Sequence, residues 1–274
     1  MSRVGWVLLG DRVVAAGRVS LLPWDDVVRW GAGVFETIGC QDGAPFLLEE
    51  HRRRMAGAVA GLGWGEVEPP GRAAVVRLLW RAKLEDGPAA VRLIAHPWGW
   101  RVRVVGWAER YRVPMGLRRR GARLHPVTWP AGPLSGIKST SYLGYRTALA
   151  AARKAGADAA LLVEPNGTIR ETDHANLFVR IGGEVFTPPA PGRCLPGVLR
   201  AWCLEVLPGL GWPAREQDLD LDTISRWDEA WLTSSLAGVV PVEAVADRTL
   251  AGSQECFRKL VARGVPAPGG YATR

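Results

Sequence analysis

One lysine stands without acidic neighbours in the segment GIKSTSYLGY, residues 136–145. Lys138 has no Asp or Glu within six positions on either side, and its neighbours are Ser, Thr, Gly and Tyr. A lysine without a nearby carboxylate can lose its proton and act as an amine nucleophile toward an aldehyde. A surface lysine at the start of a helix is the ordinary alternative for the same pattern.

A carboxylate and a helix start occur farther along the chain. Glu171, in GTIRETDHANLFV, follows a predicted turn and strand. A carboxylate can keep a pyridine ring nitrogen protonated, although a capping or surface glutamate fits the same pattern. Gly197, Val198 and Leu199, in CLPGVLRAW, open a predicted helix. The free backbone N–H groups at such a helix N-terminus can bind phosphate.

The segment WLTSSLAGVVPV supplies hydroxyl groups that could complete an anion site. Thr233, Ser234 and Ser235 follow one another at the end of a predicted strand. A lysine without acidic neighbours, a carboxylate and two anion-binding segments are together the parts that a pyridoxal 5′-phosphate (PLP) site requires. The sequence therefore predicts PLP as the cofactor.

Helices and strands that would position these residues follow from the spacing of apolar residues and from turn signals. The predicted helices cover 46–63, 142–156, 197–211 and 253–264, and the predicted strands lie in 4–17, 90–109, 159–189 and 229–234. Both halves of the chain mix hairpins with helices, which predicts an α+β protein of two domains.

The boundary between the domains is predicted in 111–136, a segment rich in Pro, Gly and Arg. We predict a smaller N-terminal α+β domain over 1–112, a linker over 113–126 and a larger C-terminal α+β domain over 127–274, with the cofactor site between them. The tail 265–274 is predicted to be loose.

Composition restricts the class of protein. A chain of 274 residues that is 47% hydrophobic can bury the cores of two modest domains. No apolar run approaches the roughly 20 residues of a membrane helix, and the N-terminus lacks a signal-peptide pattern, so we expect a cytoplasmic protein that does not bind membranes. Four separated cysteines predict reduced, buried thiols, and four scattered histidines predict no metal site.

The formal charge of +8 raises the question of nucleic-acid binding. Arginines are concentrated only in 51–55 and 117–123, and neither segment interleaves them with aromatic residues as a single-strand binding surface does. A basic field that attracts a small anionic substrate is the better interpretation, and we predict no nucleic-acid partner.

Five motifs in order resemble one enzyme family. They are WGAGVFETIGCQDGAPFLLEEHRRRM, IKSTSYL, NGTIRETDHANLFV, VFTPPAPGRCLPGVLR and TSSLAGVVPV. Over about residues 25–245 the chain is similar to the fold-type IV PLP enzymes, also called class IV aminotransferases. This family includes branched-chain and D-amino-acid aminotransferases and 4-amino-4-deoxychorismate lyase.

The resemblance implies a set of cofactor-binding residues. Lys138 matches the lysine that bonds to the cofactor and later moves the proton, and Glu171 matches the carboxylate on the pyridine nitrogen. Arg54 matches the arginine of an H-x-x-R pattern that grips the phosphate, and Tyr142 lies where relatives place a residue beside the cofactor. The remaining implied phosphate ligands are Gly197, Val198, Leu199 and Ser235.

Substrate contacts are implied in the same way. Thr37, in VFET, matches a hydroxyl that helps proton movement in the lyases. Leu236 and Ala237 match residues that contact the substrate. Arg92 is a candidate for binding the substrate carboxylate, although an ordinary strand arginine fits equally well.

The sequence also departs from the family pattern. The usual Gly-Ser/Thr-Ser-Ser-Asn after the glutamate is here Thr-Asp-His-Ala-Asn, residues 172–176, and the role of His174 is open. Leu199 replaces a threonine, so one phosphate hydroxyl is lost. His96 and the two residues after it stand where many relatives carry an Arg-Gly pair, which puts carboxylate recognition in doubt.

Two features favour the lyase over other members. TSSLAGVVPV is closer to the lyase pattern Asn-Ser-Leu-x-Gly-x-x-Pro-Val than to the Gly-Thr-Ala-Ala segment of branched-chain enzymes, and Thr37 carries the hydroxyl. We therefore expect a lyase that releases pyruvate and 4-aminobenzoate, as in folate biosynthesis. The alternative is an aminotransferase that acts on D-amino or branched-chain amino acids. The resemblance also implies a homodimer.

Overall fold

The computed structural model describes residues 5–130, 132–250 and 254–271. The chain divides into two compact units. The first contains the residues up to Val113 together with Ile137–Tyr142 and Pro266–Gly269. The second contains Pro114–Gly136, Leu143–Val265 and the end of the chain from Gly270.

In its described residues, the first unit is a six-stranded sheet with three α-helices. Its strands are β1 (Trp6–Leu9), β2 (Arg12–Ala15), β3 (Val34–Gln41), β4 (Ala44–Pro45), β5 (Pro88–Trp98) and β6 (Arg101–Arg110). Its helices are α1 (Asp26–Arg29), α2 (Leu48–Gly61) and α3 (Arg72–Arg81). The strands run in the order β2-β1-β6-β5-β3-β4, and the pairs described between them are antiparallel.

Alternation along β3 separates the core of this unit from its other face. Val34, Ile38 and Cys40 are buried in one hydrophobic cluster with side chains of α2 and α3. Successive residues of a strand point to opposite faces, so Phe35 and Thr37 lie on the face away from that cluster.

The described part of the second unit is a ten-stranded sheet with four α-helices. Its strands are β7 (Ala122–Thr128), β8 (Ala159–Val163), β9 (Thr168–Thr172), β10 (Asn176–Ile181), β11 (Glu184–Thr187), β12 (Ala214–Glu216), β13 (Leu219–Asp220), β14 (Glu229–Ser234), β15 (Gly238–Val245) and β16 (Arg248–Thr249). Its helices are α4 (Met115–Arg120), α5 (Leu143–Lys154), α6 (Val198–Val206) and α7 (Glu255–Arg263). The order is β12-β11-β10-β14-β15-β7-β8-β9-β13, and β16 pairs with β15.

Most predicted elements are present, and the α+β prediction is confirmed by a sheet with helices in each unit. The segment predicted as a linker, 113–126, differs, because it contains α4 and most of β7. Strand β7 lies inside the second sheet, where it pairs in parallel with β15 on one side and β8 on the other. Parallel pairing joins parts of the chain that are distant in sequence, so no local hairpin signal marks β7. The Pro- and Gly-rich composition of 111–136 indicated a linker instead.

The tail was predicted to be loose, and this is wrong for the described part, 265–271. Gly269 N donates to Gln41 Oε1 at 2.9 Å, and Tyr271 Oη accepts from Val239 N at 2.5 Å. Val265 and Ala267 are buried. Residues 272–274 of the predicted tail, Val4 of the predicted hairpin and Ser253 of the last predicted helix lie outside the described residues.

The four cysteines are free and buried, as predicted. Burial raises the pKa of Cys40 to about 12, so this thiol stays protonated. No helix in the described part of the chain is long and apolar enough to cross a membrane.

Candidate active site

The backbone around Lys138 is held against the start of β3. Phe35 N donates to Lys138 O at 2.8 Å, and Thr140 N donates to Gly33 O at 2.8 Å. Gly33 allows this close approach, because a Cβ there would lie 2.9 Å from Thr140 Oγ1. Val34 and Ser139 form an isolated antiparallel bridge. These contacts hold the backbone of Lys138 beside the start of β3.

The Lys138 side chain lies against aromatic rings. Its Nζ is 4.6 Å from the centroid of the Phe35 ring, and the Tyr142 ring meets Phe35 edge-on with centroids 5.6 Å apart. Since Phe35 and Thr37 are two residues apart on β3, Thr37 lies on the same sheet face as the ring that Lys138 contacts.

Thr37 and Arg92 are brought together by the β3–β5 pairing. They are register partners, and Arg92 Nη1 donates to Thr37 Oγ1 at 3.2 Å. Arg92 Nε also donates to Glu109 Oε1 at 2.7 Å. The threonine hydroxyl is therefore oriented by an arginine that already has a carboxylate partner. A substrate role for Arg92 stays a prediction.

Arg54 belongs to a buried cluster on α2 and β3. Its Nε and Nη2 donate to Glu36 Oε1 and Oε2 at 2.7 and 2.6 Å, and His51 Nδ1 lies 2.6 Å from Glu36 Oε2. Burial opposes ionisation of Glu36, but the charge of Arg54 and the hydrogen bonds from His51 and Arg54 lower its pKa to about 2. Burial lowers the pKa of His51 against the opposing effect of Glu36. The cluster therefore orients the guanidinium of Arg54.

His96 is buried on β5 and has one unpaired ring nitrogen. Its Nδ1 lies 2.8 Å from Pro97 O, and within the described part of the chain Nε2 has no hydrogen-bond partner. Burial lowers the pKa of His96, so the ring is neutral at pH 7. A neutral imidazole at this position supplies no positive charge for a substrate carboxylate.

Glu171 lies in the second unit, where two groups hold its carboxylate. Asn176 Nδ2 and Leu195 N each donate to Glu171 Oε2 at 3.2 Å. Asn176 Nδ2 also donates to Leu195 O at 2.8 Å. The carboxylate is almost fully buried. A carboxylate held by neutral donors keeps its charge available to a cationic ring nitrogen.

The N-terminus of α6 packs against the same asparagine. A Cβ at Gly197 would overlap Asn176 Oδ1, so only glycine fits there. Asn176 pairs in register with Thr233, whose buried Oγ1 has no hydrogen-bond partner among the described residues. Val198 begins the helix. The predicted phosphate segments, at the start of α6 and the end of β14, therefore converge on Asn176.

The segment after Thr233 is also ordered by hydrogen bonds. Ala237 N donates to Ser234 Oγ at 3.2 Å, and Ala237 O accepts from Arg118 Nε at 2.9 Å. Ser235 and Leu236 lie between these anchored residues and are partly exposed.

Asp173 and His174 form a fixed pair in the turn between β9 and β10. Asp173 Oδ2 lies 2.8 Å from His174 Nδ1, and Asp173 Oδ1 accepts from Ala160 N at 2.8 Å. The pair is not part of a metal cluster: within the described residues, no three His, Cys, Asp or Glu side chains are grouped to hold an ion.

Comparison with known proteins identifies the family to which the chain belongs. A model of the amino-transferase class IV family matches residues 33–245, more than three quarters of the chain. The protein belongs to the class IV aminotransferase family.

Two curated relatives of the family carry different names. Branched-chain-amino-acid aminotransferase-like protein 2 of Arabidopsis thaliana is 24% identical over 97% of this chain and 52% of its own length. The aminodeoxychorismate lyase of Bacillus subtilis (strain 168) is 26% identical over 83% of this chain and 82% of its own length. The chain thus spans about half the length of the first relatives it matches.

A solved structure has the same fold. It is the PLP-bound form of a hypothetical aminotransferase from Mycobacterium tuberculosis, with a TM-score of 0.82, 23% identity and coverage of 94% of this chain and 97% of that one. The fold-type IV architecture predicted from the motifs is confirmed.

Sequence reasoning found the motif residues of this class IV family member but missed their partners. In the first unit it missed Glu36 and His51, although the i, i+3 spacing of His51 and Arg54 on α2 places both on one helix face. In the second unit it missed the role of Asn176 and of the backbone of Leu195, which no local pattern indicates. The roles assigned to the motif residues themselves stay predictions.

Proposed function

We propose that this class IV family member is a lyase that converts 4-amino-4-deoxychorismate to pyruvate and 4-aminobenzoate. One observation carries the proposal. The Thr37 hydroxyl, oriented by Arg92, lies on the sheet face whose Phe35 ring contacts Lys138. A lyase needs a second proton-transfer group near its lysine, and the similarity to the Bacillus subtilis lyase supports the same reading.

Family membership makes PLP the cofactor, and the fold is that of a PLP-bound relative. One feature of this chain fits its phosphate: among the described residues the buried Thr233 Oγ1 has no hydrogen-bond partner, and Thr233 pairs with Asn176, against which Gly197 packs. When bound, PLP supplies an aldehyde for an amine and a protonated ring that withdraws electrons from the adjacent carbon.

Each cofactor-binding residue has a separate task in this proposal. Lys138 would hold the cofactor through a bond from its Nζ to the aldehyde carbon. Glu171, whose carboxylate is held by Asn176 and Leu195, would keep the pyridine nitrogen protonated. Arg54, oriented by Glu36, binds the phosphate. The other proposed phosphate donors are the N–H groups of Gly197, Val198 and Leu199 and the hydroxyl of Ser235, and Tyr142 lies beside the ring.

The elimination requires two proton movements. With the substrate amine held by the cofactor, Lys138 Nζ would take the proton from the carbon that bears the amine. Thr37 Oγ1 relays a proton to the ether oxygen on the neighbouring carbon as that C–O bond breaks. Pyruvate leaves as its enol, which ketonises after release, and the ring becomes aromatic, which drives the reaction forward. Leu236, Ala237 and Arg92 contact the substrate.

An aminotransferase is the second candidate, because the first curated relatives are named for branched-chain amino acids. In that reaction Lys138 would return the proton to the cofactor, and the amino group would pass to a keto acid. Thr37 then lines the substrate pocket and has no proton to relay.

The test supplies aminodeoxychorismate to wild type, Thr37→Val and Thr37→Ser, and in parallel supplies L- and D-amino acids with 2-oxoglutarate or pyruvate. We expect wild type to release aminobenzoate, Thr37→Val to lose up to about 100-fold in kcat, and Thr37→Ser to keep most of it. Efficient keto-acid formation without release of aminobenzoate would refute the lyase proposal and support the aminotransferase.

A further inference from the structure

Arg170 is a buried arginine on β9, directly before Glu171, and the proposed reaction does not use it. Its side chain is 3% exposed. The guanidinium Nη1 donates to Glu164 Oε1 at 2.7 Å, which places a carboxylate beside the buried charge. A buried arginine with a single partner would be costly, so its other contacts matter.

Those contacts are with two separate segments of the chain. Arg170 Nη2 donates to Ser135 Oγ at 2.7 Å and to Gly192 O at 3.2 Å. Ser135 precedes Lys138 by three residues. Gly192 precedes Leu195 by three residues, and Leu195 N donates to Glu171.

The two segments also touch each other. Gly136 has φ +90°, and a Cβ there would lie 3.1 Å from Pro191 Cβ, so glycine is required for this approach. Ser135 Oγ additionally donates to Gly132 O at 2.7 Å, which closes the turn. Arg170 therefore lies where two segments meet. One is the segment 132–136, which leads into Lys138, and the other is the loop 191–195, whose Leu195 N donates to Glu171.

The guanidinium suits this position better than an ammonium group would. Its planar fork donates from fixed directions to a carboxylate, a hydroxyl and a carbonyl at once. Lysine keeps the charge for Glu164 but cannot reproduce the two directed bonds from Nη2. Arg170→Lys therefore keeps the positive charge and removes the two directed hydrogen bonds, so its effect reports on the hydrogen-bond geometry alone.

We propose that Arg170 is a positioning residue that ties the segment leading into Lys138 to the loop that holds the Glu171 carboxylate. It acts through Ser135 and Gly192 and touches neither substrate nor cofactor. The inference rests on the proposed roles of Lys138 and Glu171.

The experiment uses the full chain with PLP added and compares wild type, Arg170→Lys and Ser135→Ala. Ser225→Ala is the matched control, because Ser225 Oγ also donates to the carbonyl three residues earlier, at 3.4 Å, in a turn of the same unit. We measure the rate at which the absorbance of lysine-bound PLP develops, the pH titration of that absorbance, and hydrogen exchange of 133–140 before PLP is added.

We expect Arg170→Lys and Ser135→Ala to bond PLP on the order of 10-fold more slowly than wild type and to shift the titration. Hydrogen exchange of 133–140 should be roughly 5-fold faster in both variants, since one directed hydrogen bond is lost. Ser225→Ala should match wild type in all three measurements.

The outcomes separate this proposal from the proposed function. Wild-type rates, titration and exchange in both variants would overturn the role of Arg170 and leave the proposed function intact. Failure of wild type to bond PLP through any lysine would overturn the proposed function and this inference with it.

Discussion

At the scale of single residues, the neighbours of Glu171 decide whether it can serve a ring nitrogen. Its Oε2 accepts from Asn176 Nδ2 and Leu195 N, which are neutral donors that hold the carboxylate without neutralising it. Asn176 is fixed in turn by Leu195 O. The geometry thus holds the carboxylate in a buried place, which is the placement that the proposed pairing with a protonated pyridine nitrogen needs.

Exchange of this residue gives the first prediction. Glu171→Gln keeps the shape and removes the charge, so the ring nitrogen loses its anionic partner. We expect kcat to fall roughly 100- to 1000-fold while PLP stays bound, because a stabilised charge of this kind is worth several kcal/mol. Steady-state kinetics on fully loaded protein measure it, and wild-type turnover at full occupancy would contradict the role.

At the scale of elements, the start of α6 depends on a close approach to β10. Gly197 precedes the helix with φ −66°, an ordinary backbone conformation, so glycine is needed there for space and not for its φ. Any side chain at that position would displace Asn176. The same contact therefore places the helix N-terminus and supports the donor that holds Glu171.

Gly197→Ala is predicted to weaken PLP binding by roughly 10-fold or more, because the added methyl group moves the helix start and the asparagine apart. Gly209→Ala is the matched control, since a Cβ there meets nothing within 4 Å. Titration with PLP, followed by absorbance, gives both dissociation constants. Equal affinities for the two variants would show that the close approach is not needed for cofactor binding.

At the scale of the whole molecule, the buried cluster on α2 and β3 links stability to pH. The pKa of Glu36 is lowered to about 2 from its ordinary 4.5, and burial lowers the pKa of His51 below its ordinary 6.5. Both groups therefore bind fewer protons in the folded than in the unfolded chain. Their contribution to stability is complete above about pH 6.5 and is lost as the pH falls, first through His51 and then, below about 4.5, through Glu36.

We predict that the free energy of unfolding in urea falls between pH 7 and pH 4. Glu36→Gln should cost about 3–5 kcal/mol at pH 7, because it removes the buried carboxylate that pairs with the part-buried guanidinium of Arg54. Glu109→Gln removes a half-exposed ion pair with Arg92 and should cost less than about 1 kcal/mol. A similar cost for both variants would refute the special role of the buried cluster.

Large aromatic side chains on the first unit bear on assembly. Trp24, Trp30, Trp98 and Trp100 are all more than half exposed. Arg103 stacks on Trp98 at 4.4 Å and donates to Ser20 O at 3.5 Å, which joins the tip of the β5–β6 hairpin to the segment that carries Trp24 and Trp30. Exposed apolar surface of this kind is a candidate for a protein interface.

We predict a homodimer and expect light scattering to give twice the mass of one chain. Trp100→Ser should weaken the dimer, whereas Trp80→Ser, which changes an equally bulky exposed side chain on α3, should not. An active monomeric wild type would contradict the prediction. If neither variant weakens the dimer, the interface does not include the tip of the β5–β6 hairpin.

The sequence by itself determined the family, the α+β class and most helices and strands. These follow from short-range signals: the spacing of apolar residues, turn dipeptides, and motifs such as IKSTSYL whose residues are adjacent in the chain. Lys138, Glu171 and the start of α6 were found in this way, because each lies in a contiguous motif.

Only the tertiary structure decided which groups support those residues. Glu36 meets His51 and Arg54, Arg170 meets Ser135 and Gly192, and β7 pairs with β15 across more than a hundred residues. Contacts of this kind depend on how strands register and loops close, and local propensity carries no information about either. The order of the motifs thus identified the family. Long-range packing placed the groups that surround the charged side chains of the candidate site.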